Sequence, residues 1–296
     1  MTVISVTNQK GGAAKTTTVI ELASNLSAQG YKVLAIDNDA QGSLTLAANP
    51  FGVPFYFGTV HDFYGVNSEE YFREIDSTAG PITIDDLLEI HGLSERERKI
   101  RTVTTCRWPI YRVGNDFDLI PAPKNQQLSD VERSMMHTKL QEAVARINEQ
   151  FQYDFVIIDT PPALGILTVN ALSAADYVLV PSQPESFAAE GIVQLNITVK
   201  YVIANSNPKL KYAGILLTKV MDNTNLHSSY IQATKNWGNE NGVHVFESMI
   251  PNCIYIPESQ YERKPLSKCT PKKKFDRPRK AYEAFTNEFM EVLKRA

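Results

Sequence analysis

Asn8-Gln9-Lys10-Gly11-Gly12-Ala13-Ala14-Lys15-Thr16-Thr17 is the stretch on which the reading of this chain turns. An apolar run, Val3 to Val6, leads into it, and a helix-like stretch from Thr18 to Gln29 leads out. Strand, glycine-containing turn and helix start, in that order, form the local geometry that cradles a phosphate. Turn N–H groups and the positive helix terminus face the anion, and Lys15 can reach the outer phosphates. Thr16 is placed to offer its hydroxyl to Mg²⁺. The ordinary phosphate-loop pattern, G-x-x-x-x-G-K-S/T, fails at both glycines, because Gln9 and Ala14 stand there. What fits is the deviant Walker A form K-G-G-x-x-K-S/T, with an additional lysine at Lys10.

At 296 residues the chain can bury a full-sized α/β core, and length alone allows one or two domains. The formal net charge of −3 gives no global basic field for nucleic acid. The charges are unevenly spread, however. Between Tyr261 and Lys280, nine lysines and arginines face only Glu262 and Asp276, a local +7. Three cysteines, Cys106, Cys253 and Cys269, have no CxxC spacing, and their odd number argues against a disulfide framework. The start of the chain reads as phosphate loop rather than signal peptide. No apolar run approaches the roughly 20 residues that cross a bilayer. A reducing cytoplasm is the expected compartment.

Short β-branched runs recur along the chain with helical segments between them. The expected strands are Val3–Val6, Lys32–Ile36, Phe117–Ile120, Phe155–Ile158, Tyr177–Val180, Ala213–Leu217 and Val243–Ile250. Several are apolar on consecutive residues, which suits strands covered on both faces. The alternation predicts an α/β fold, a doubly wound and mostly parallel sheet with helices on both faces. Ligands of such sheets bind beyond the carboxyl ends of the strands. The stretch from Pro50 to Asn115 breaks the rhythm and is read as an elaboration with one or two helices, Ile84–Ile90 among them. Its basic run, Arg96, Arg98, Lys99 and Arg101, is a solvated helix face or a DNA or partner contact. Tyr282, Phe285, Phe289, Val292 and Leu293 follow helical spacing opposite Glu283, Asn287, Glu288 and Glu291. An acidic face is repelled by anionic lipid, so this terminal helix is expected to dock on the core.

Two aspartate motifs complete the constellation. Asp37-Asn38-Asp39-Ala40-Gln41-Gly42 follows the second strand, and Asp159-Thr160-Pro161-Pro162 ends the Phe155–Ile158 strand. A strand-terminal aspartate paired with a phosphate loop reads as the Mg²⁺-holding Walker B residue. With KGGAAKTT, DNDAQG, FVIIDTPPALGILTVNALSAADYVLVPSQPESFAAEG and IPNCIYIPESQYERKPL in this order, the chain resembles the ParA-type DNA partition ATPases. These belong to the ParA/MinD family of deviant Walker A P-loop NTPases. The likeness covers most of the chain outside Pro50–Asn115 and implies one ATPase domain over residues 1–296.

The resemblance implies roles residue by residue. Gly11, Gly12, Ala13 and Ala14 would wrap the phosphates of ATP, Lys15 would bind its β- and γ-phosphates, Thr16 would hold Mg²⁺, and Thr17 would assist on the phosphates. Lys10 would reach across a two-fold interface to the nucleotide of the other subunit, offsetting developing charge as an arginine finger does. Asp39 would orient the attacking water beside the metal, and Asp159 would sense the γ-phosphate through Mg²⁺. Thr218, Pro251 and Asn252 would line the adenine pocket. The family's cycle is an ATP-bound sandwich homodimer that holds DNA non-specifically. A ParB-type centromere-binding protein then stimulates slow hydrolysis and release.

Two departures stand out. Ala14 replaces a glycine; if that residue must be left-handed, its Cβ costs roughly 1–2 kcal/mol, enough to weaken ATP binding about tenfold or more. If it lies in the helical region, alanine is harmless. Ala40 replaces a proline, which should slightly loosen the segment that carries Asp39. Phosphate neutralisation supplies most non-specific DNA affinity, and the resemblance implies DNA contact through Lys264, Lys268, Lys272, Lys273 and Lys274, with Lys200 a weaker candidate. The alternative for that segment is a solvated surface.

Other readings are a MinD-like membrane-surface positioning ATPase, an iron–sulfur reductase component on the same fold, and a nucleotide-binding protein with little turnover. The acidic face around Glu288 counts against the first, and the cysteine positions against the second.

Overall fold

Phe155-Val156-Ile157-Ile158 is apolar at every position, and both of its faces are covered. Phe155 and Ile157 pack into one hydrophobic cluster, while Val156 and Ile158 pack into another on the opposite side of the sheet. A computed structural model describes residues 1–39, 41–48, 56–59, 111–113, 116–125, 139–185, 188–221 and 225–295. The expected helix at Ile84–Ile90, the Arg96–Arg101 basic run, Cys106 and Ala40 lie outside the described residues.

In chain order the strands are β1 (Thr2–Val6), β2 (Val33–Asp37), β3 (Tyr56–Thr59), β4 (Tyr111–Val113), β5 (Phe117–Ile120), β6 (Pro123–Asn125), β7 (Phe155–Asp159), β8 (Tyr177–Ser182) and β9 (Lys211–Leu217). The helices are α1 (Lys15–Ala28), α2 (Ser43–Ala48), α3 (Lys139–Phe151), α4 (Ile166–Ala174), α5 (Ala188–Asn205), α6 (Asn225–Asn241), α7 (Tyr255–Tyr261) and α8 (Lys272–Arg295), with a 3₁₀ turn at Leu266–Lys268. Among the described residues, seven strands form one sheet in the order β4-β5-β2-β7-β1-β8-β9. All neighbours pair in parallel except β4, which runs antiparallel to β5 at the edge. β3 and β6 pair separately as a short parallel ribbon.

The two faces have different covers. Residues of α3, α4 and α5 pack on one side with Val3, Leu34, Val178 and Ile215. Those of α1 and α8 pack on the other with Ile4, Val6, Ala35 and Leu179. Neighbouring residues of β1 thus go to opposite clusters, as a strand's alternating side chains require. The doubly wound arrangement expected from the sequence is the one observed.

The terminal helix docks as its spacing predicts. Tyr282, Phe285 and Phe289 are fully buried, and the Phe285 ring meets Phe246 edge-on at 5.0 Å between centroids. Among the described residues no helix is long and apolar enough to cross a membrane.

The expected strand at Val243–Ile250 does not form. Instead, Val245 bridges Ile215 in β9 and Pro251 bridges Val220 just beyond it, both in parallel, as isolated contacts. Between them Phe246 N–H and Ile250 N–H still donate to Ile215 O and Leu217 O, but Glu247 N–H and Ser248 N–H are diverted to the Glu288 carboxylate of α8 at 2.8 and 2.9 Å. A carboxylate receiving two N–H groups competes directly with a β ladder. Gly214 permits the close approach, because at φ 148° a Cβ there would stand 2.8 Å from His244 O.

Candidate functional site

Register brings the chemistry together. Val6, Asp159 and Asp37 end β1, β7 and β2 side by side, since Val6 pairs with Asp159 and Asp159 with Asp37. The 8–14 loop leaves β1 at that edge and enters α1 at Lys15. The loop, Asp39 and the 250–260 segment enclose a cavity of about 480 Å³.

The loop is held by its neighbours. Asn8 donates its amide to Pro181 O at 2.6 Å, and its side-chain oxygen accepts Lys10 N–H at 2.9 Å. Gln183 donates to Gly12 O, and Thr218 Oγ1 donates to Ala13 O at 3.2 Å. Lys15 is buried, and its Nζ donates to Asn8 O at 3.0 Å and Lys10 O at 3.2 Å. Burial lowers its pKa, while the charges of Asp159 and Asp39 work the other way.

Ala14 adopts φ 64° and ψ 28°, the left-handed conformation. The strained alternative of the sequence reading is therefore the correct one. Since the geometry belongs to the folded chain, its cost of roughly 1–2 kcal/mol falls on folding stability rather than on ligand affinity.

At the metal end, Thr16 Oγ1 donates to Asp159 Oδ2 at 2.6 Å. The other carboxylate oxygen, Asp159 Oδ1, is buried with no hydrogen-bond partner. Burial, and then the nearby Asp37, push the Asp159 carboxyl well above its ordinary range. Asp37 is pushed up to about 6 by burial, although Thr45 donates both N–H and hydroxyl to it at 2.7 Å. Asp39 accepts Gln41 N–H at 3.0 Å and faces the cavity. Crowded, desolvated carboxylates with one oxygen unsatisfied fit a divalent cation, which Asp159 and Thr16 would hold. Among the described residues no three His, Cys, Asp or Glu side chains converge into a ready-made metal cage.

Gly11 to Thr17, Asp39, Thr218, Pro251 and Asn252 all line the cavity. Lys10 does not; its amine pairs with Glu185 at the rim. The candidate DNA lysines lie apart from the cavity and are unequal. Lys264 pairs with Glu262 at 3.7 Å, Lys268 with Asp116 at 3.0 Å and Lys274 with Glu258 at 2.5 Å. Lys200, Lys272 and Lys273 are exposed, without an ion-pair partner among the described residues. Sequence reasoning missed Gln183, Glu185, Lys219 and Gln260. The available signal was position, since Gln183 and Lys219 lie one and two residues beyond the ends of β8 and β9.

A parallel sheet with a lysine-bearing phosphate loop at its carboxyl edge, beside two strand-terminal aspartates, defines a P-loop nucleotide-binding protein. The family described as AAA domain matches residues 1–212. The chromosome partitioning protein ParA of Caulobacter vibrioides is 33% identical over 269 residues, 89% of this chain and 85% of that one. The sporulation initiation inhibitor protein Soj of Bacillus subtilis is 30% identical over 264 residues, 89% of each. Cobyrinic acid a,c-diamide synthase from Mycobacterium smegmatis, solved with bound ADP and magnesium, is structurally similar at a TM-score of 0.68 and 27% identity. That likeness covers 99% of this chain and 96% of the other. The chain belongs to the ParA-type family of P-loop ATPases.

Proposed function

We propose that this chain is an ATP-dependent partition switch, acting as one domain in the cytoplasm on nucleoid DNA. ATP lies along the 11–17 loop, with Lys15 on the outer phosphates and Thr17 assisting on the phosphates. Thr218, Pro251 and Asn252 flank the base. Thr16 and Asp159 would hold Mg²⁺, which would offset the charge of the phosphates and of the nearby carboxylates. Asp39 orients the attacking water, and Lys10 exchanges Glu185 for the nucleotide of a second copy. The carrying observation is Asp159, whose unpartnered buried oxygen and 2.6 Å contact with Thr16 leave a cation-shaped deficit beside the loop.

The ATP-bound homodimer holds DNA without sequence preference through Lys272 and Lys273, exposed in the first turn of α8. Lys200 adds to the field, while Lys264, Lys268 and Lys274 add less, because Glu262, Asp116 and Glu258 pair with them. A ParB-type partner stimulates slow hydrolysis, which removes the contacts unique to the triphosphate state and releases the DNA. The test is DNA retention by the full chain with Mg²⁺ and ATP, compared with ADP. Retention that needs ATP, falls with salt and weakens in Lys272→Glu/Lys273→Glu supports the reading. Retention indifferent to nucleotide and to those substitutions contradicts it.

A further inference from the structure

The turn after β9 brings a third lysine against the phosphate loop. On one side of it Thr218 is fixed, its N–H donating to Ser182 O at 2.8 Å and its hydroxyl to Ala13 O at 3.2 Å. On the other side Val220 N–H donates to Ile250 O at 2.9 Å, and Val220 O accepts Asn252 N–H at 2.8 Å. Between these anchors Lys219 takes φ 53°, the left-handed region that a residue with a Cβ disfavours. Such a conformation costs on the order of 1–3 kcal/mol and persists only where the surroundings impose it.

The turn aims the side chain. Lys219 lines the same cavity as the loop, and a Cβ built on Gly12 would lie 3.8 Å from Lys219 Nζ. The other two lysines of the site are engaged, Lys15 with the carbonyls of Asn8 and Lys10, and Lys10 with Glu185. Lys219 has no hydrogen bond or ion pair with any described residue.

We propose that Lys219 is a third cationic contact for the nucleotide's polyphosphate, supplied by the same chain from the end of β9. The proposal rests on the nucleotide reading above. An exposed ammonium acts as a point charge, so its contribution is modest and screened by salt.

The experiment is calorimetric titration of the full chain with ADP and with inorganic pyrophosphate, in magnesium, at low and moderate salt. Native protein is compared with Lys219→Gly, Lys219→Gln and Lys219→Arg. Glycine accepts the left-handed backbone, so that variant should melt no lower than native protein while losing the charge. The expected result is a roughly fivefold to tenfold loss for Gly and Gln with both ligands. The salt dependence flattens, and Arg recovers most of the affinity. Gly and Gln variants within twofold of native would overturn the proposal, as would a loss for ADP with none for pyrophosphate. If native protein itself takes up neither ligand, the nucleotide reading fails and the role of Lys219 falls with it. If native protein binds and the variants match it, only Lys219 is wrongly assigned.

Discussion

Thr16 and Asp159, 143 residues apart in sequence, share a 2.6 Å hydrogen bond at the carboxyl edge of the sheet. Replacing Thr16 with Ala removes a donor to a buried carboxylate and, on the proposed reading, a ligand of Mg²⁺. We expect Thr16→Ala to lose most of the gain in ADP affinity that native protein shows on adding magnesium, about tenfold or more. Titrations with and without a chelator read the difference directly. Equal magnesium gains in both proteins would move the metal elsewhere.

Ala14 carries its left-handed strain in the fold. Ala14→Gly should therefore stabilise by roughly 1 kcal/mol and raise the melting temperature by about 2–4 °C. Nucleotide affinity should change little. Thermal unfolding followed by circular dichroism tests the first expectation and calorimetry the second. A tenfold gain in affinity without a gain in stability would mean that the strain opposes binding after all.

Glu21 on α1 is buried, and its carboxyl is pushed up to about 8 by that burial, with Asp116 and Glu283 adding to the shift. It accepts Leu266 N–H at 3.0 Å, which only partly compensates. Between the ordinary value of 4.5 and about 8, the folded chain keeps a proton that the unfolded chain has released. Its contribution to stability is complete below the lower value and is lost as pH rises toward the upper one. Melting temperature should thus fall from pH 5 to pH 8, and Glu21→Gln should flatten the fall. An unchanged slope in the variant would assign the dependence to other groups.

Phe285 locks α8 to the sheet through Phe246. Phe285→Ala should cost about 3–5 kcal/mol, readable by denaturant titration. A loss under 1 kcal/mol would mean that α8 is held by its polar contacts instead, such as the Glu288 carboxylate on Glu247 and Ser248.

Much of this was legible in the sequence because the decisive signals are local. β1, the loop and α1 are continuous in the chain, and the unbroken apolar run Phe155–Ile158 announces a doubly covered strand. Val243–Ile250 misled for a physical reason. Its β-branched residues suit a strand, but whether a segment ladders depends on where its N–H groups find partners. Here two go to Glu288, some forty residues away. The backbone angle of Ala14 was likewise beyond composition, because residue type lowers the odds of φ 64° without forbidding it. Lys219 was overlooked since nothing in Leu217-Thr218-Lys219-Val220 distinguishes it from a solvated lysine until the turn is seen. The basic stretch was visible as charge, but its ion pairs were not. Glu258 and Asp116, which neutralise Lys274 and Lys268, come from α7 and from the residue preceding β5.

The most direct test of the whole account is sedimentation of the full chain with magnesium and a non-hydrolysable ATP analogue. Native protein should pass from monomer to dimer on adding the analogue. Lys10→Gln should bind the analogue yet remain a monomer, because the lysine proposed to leave Glu185 for the second copy is gone. A native chain that stays monomeric at saturating analogue, or a Lys10→Gln variant that dimerises as readily, would contradict it.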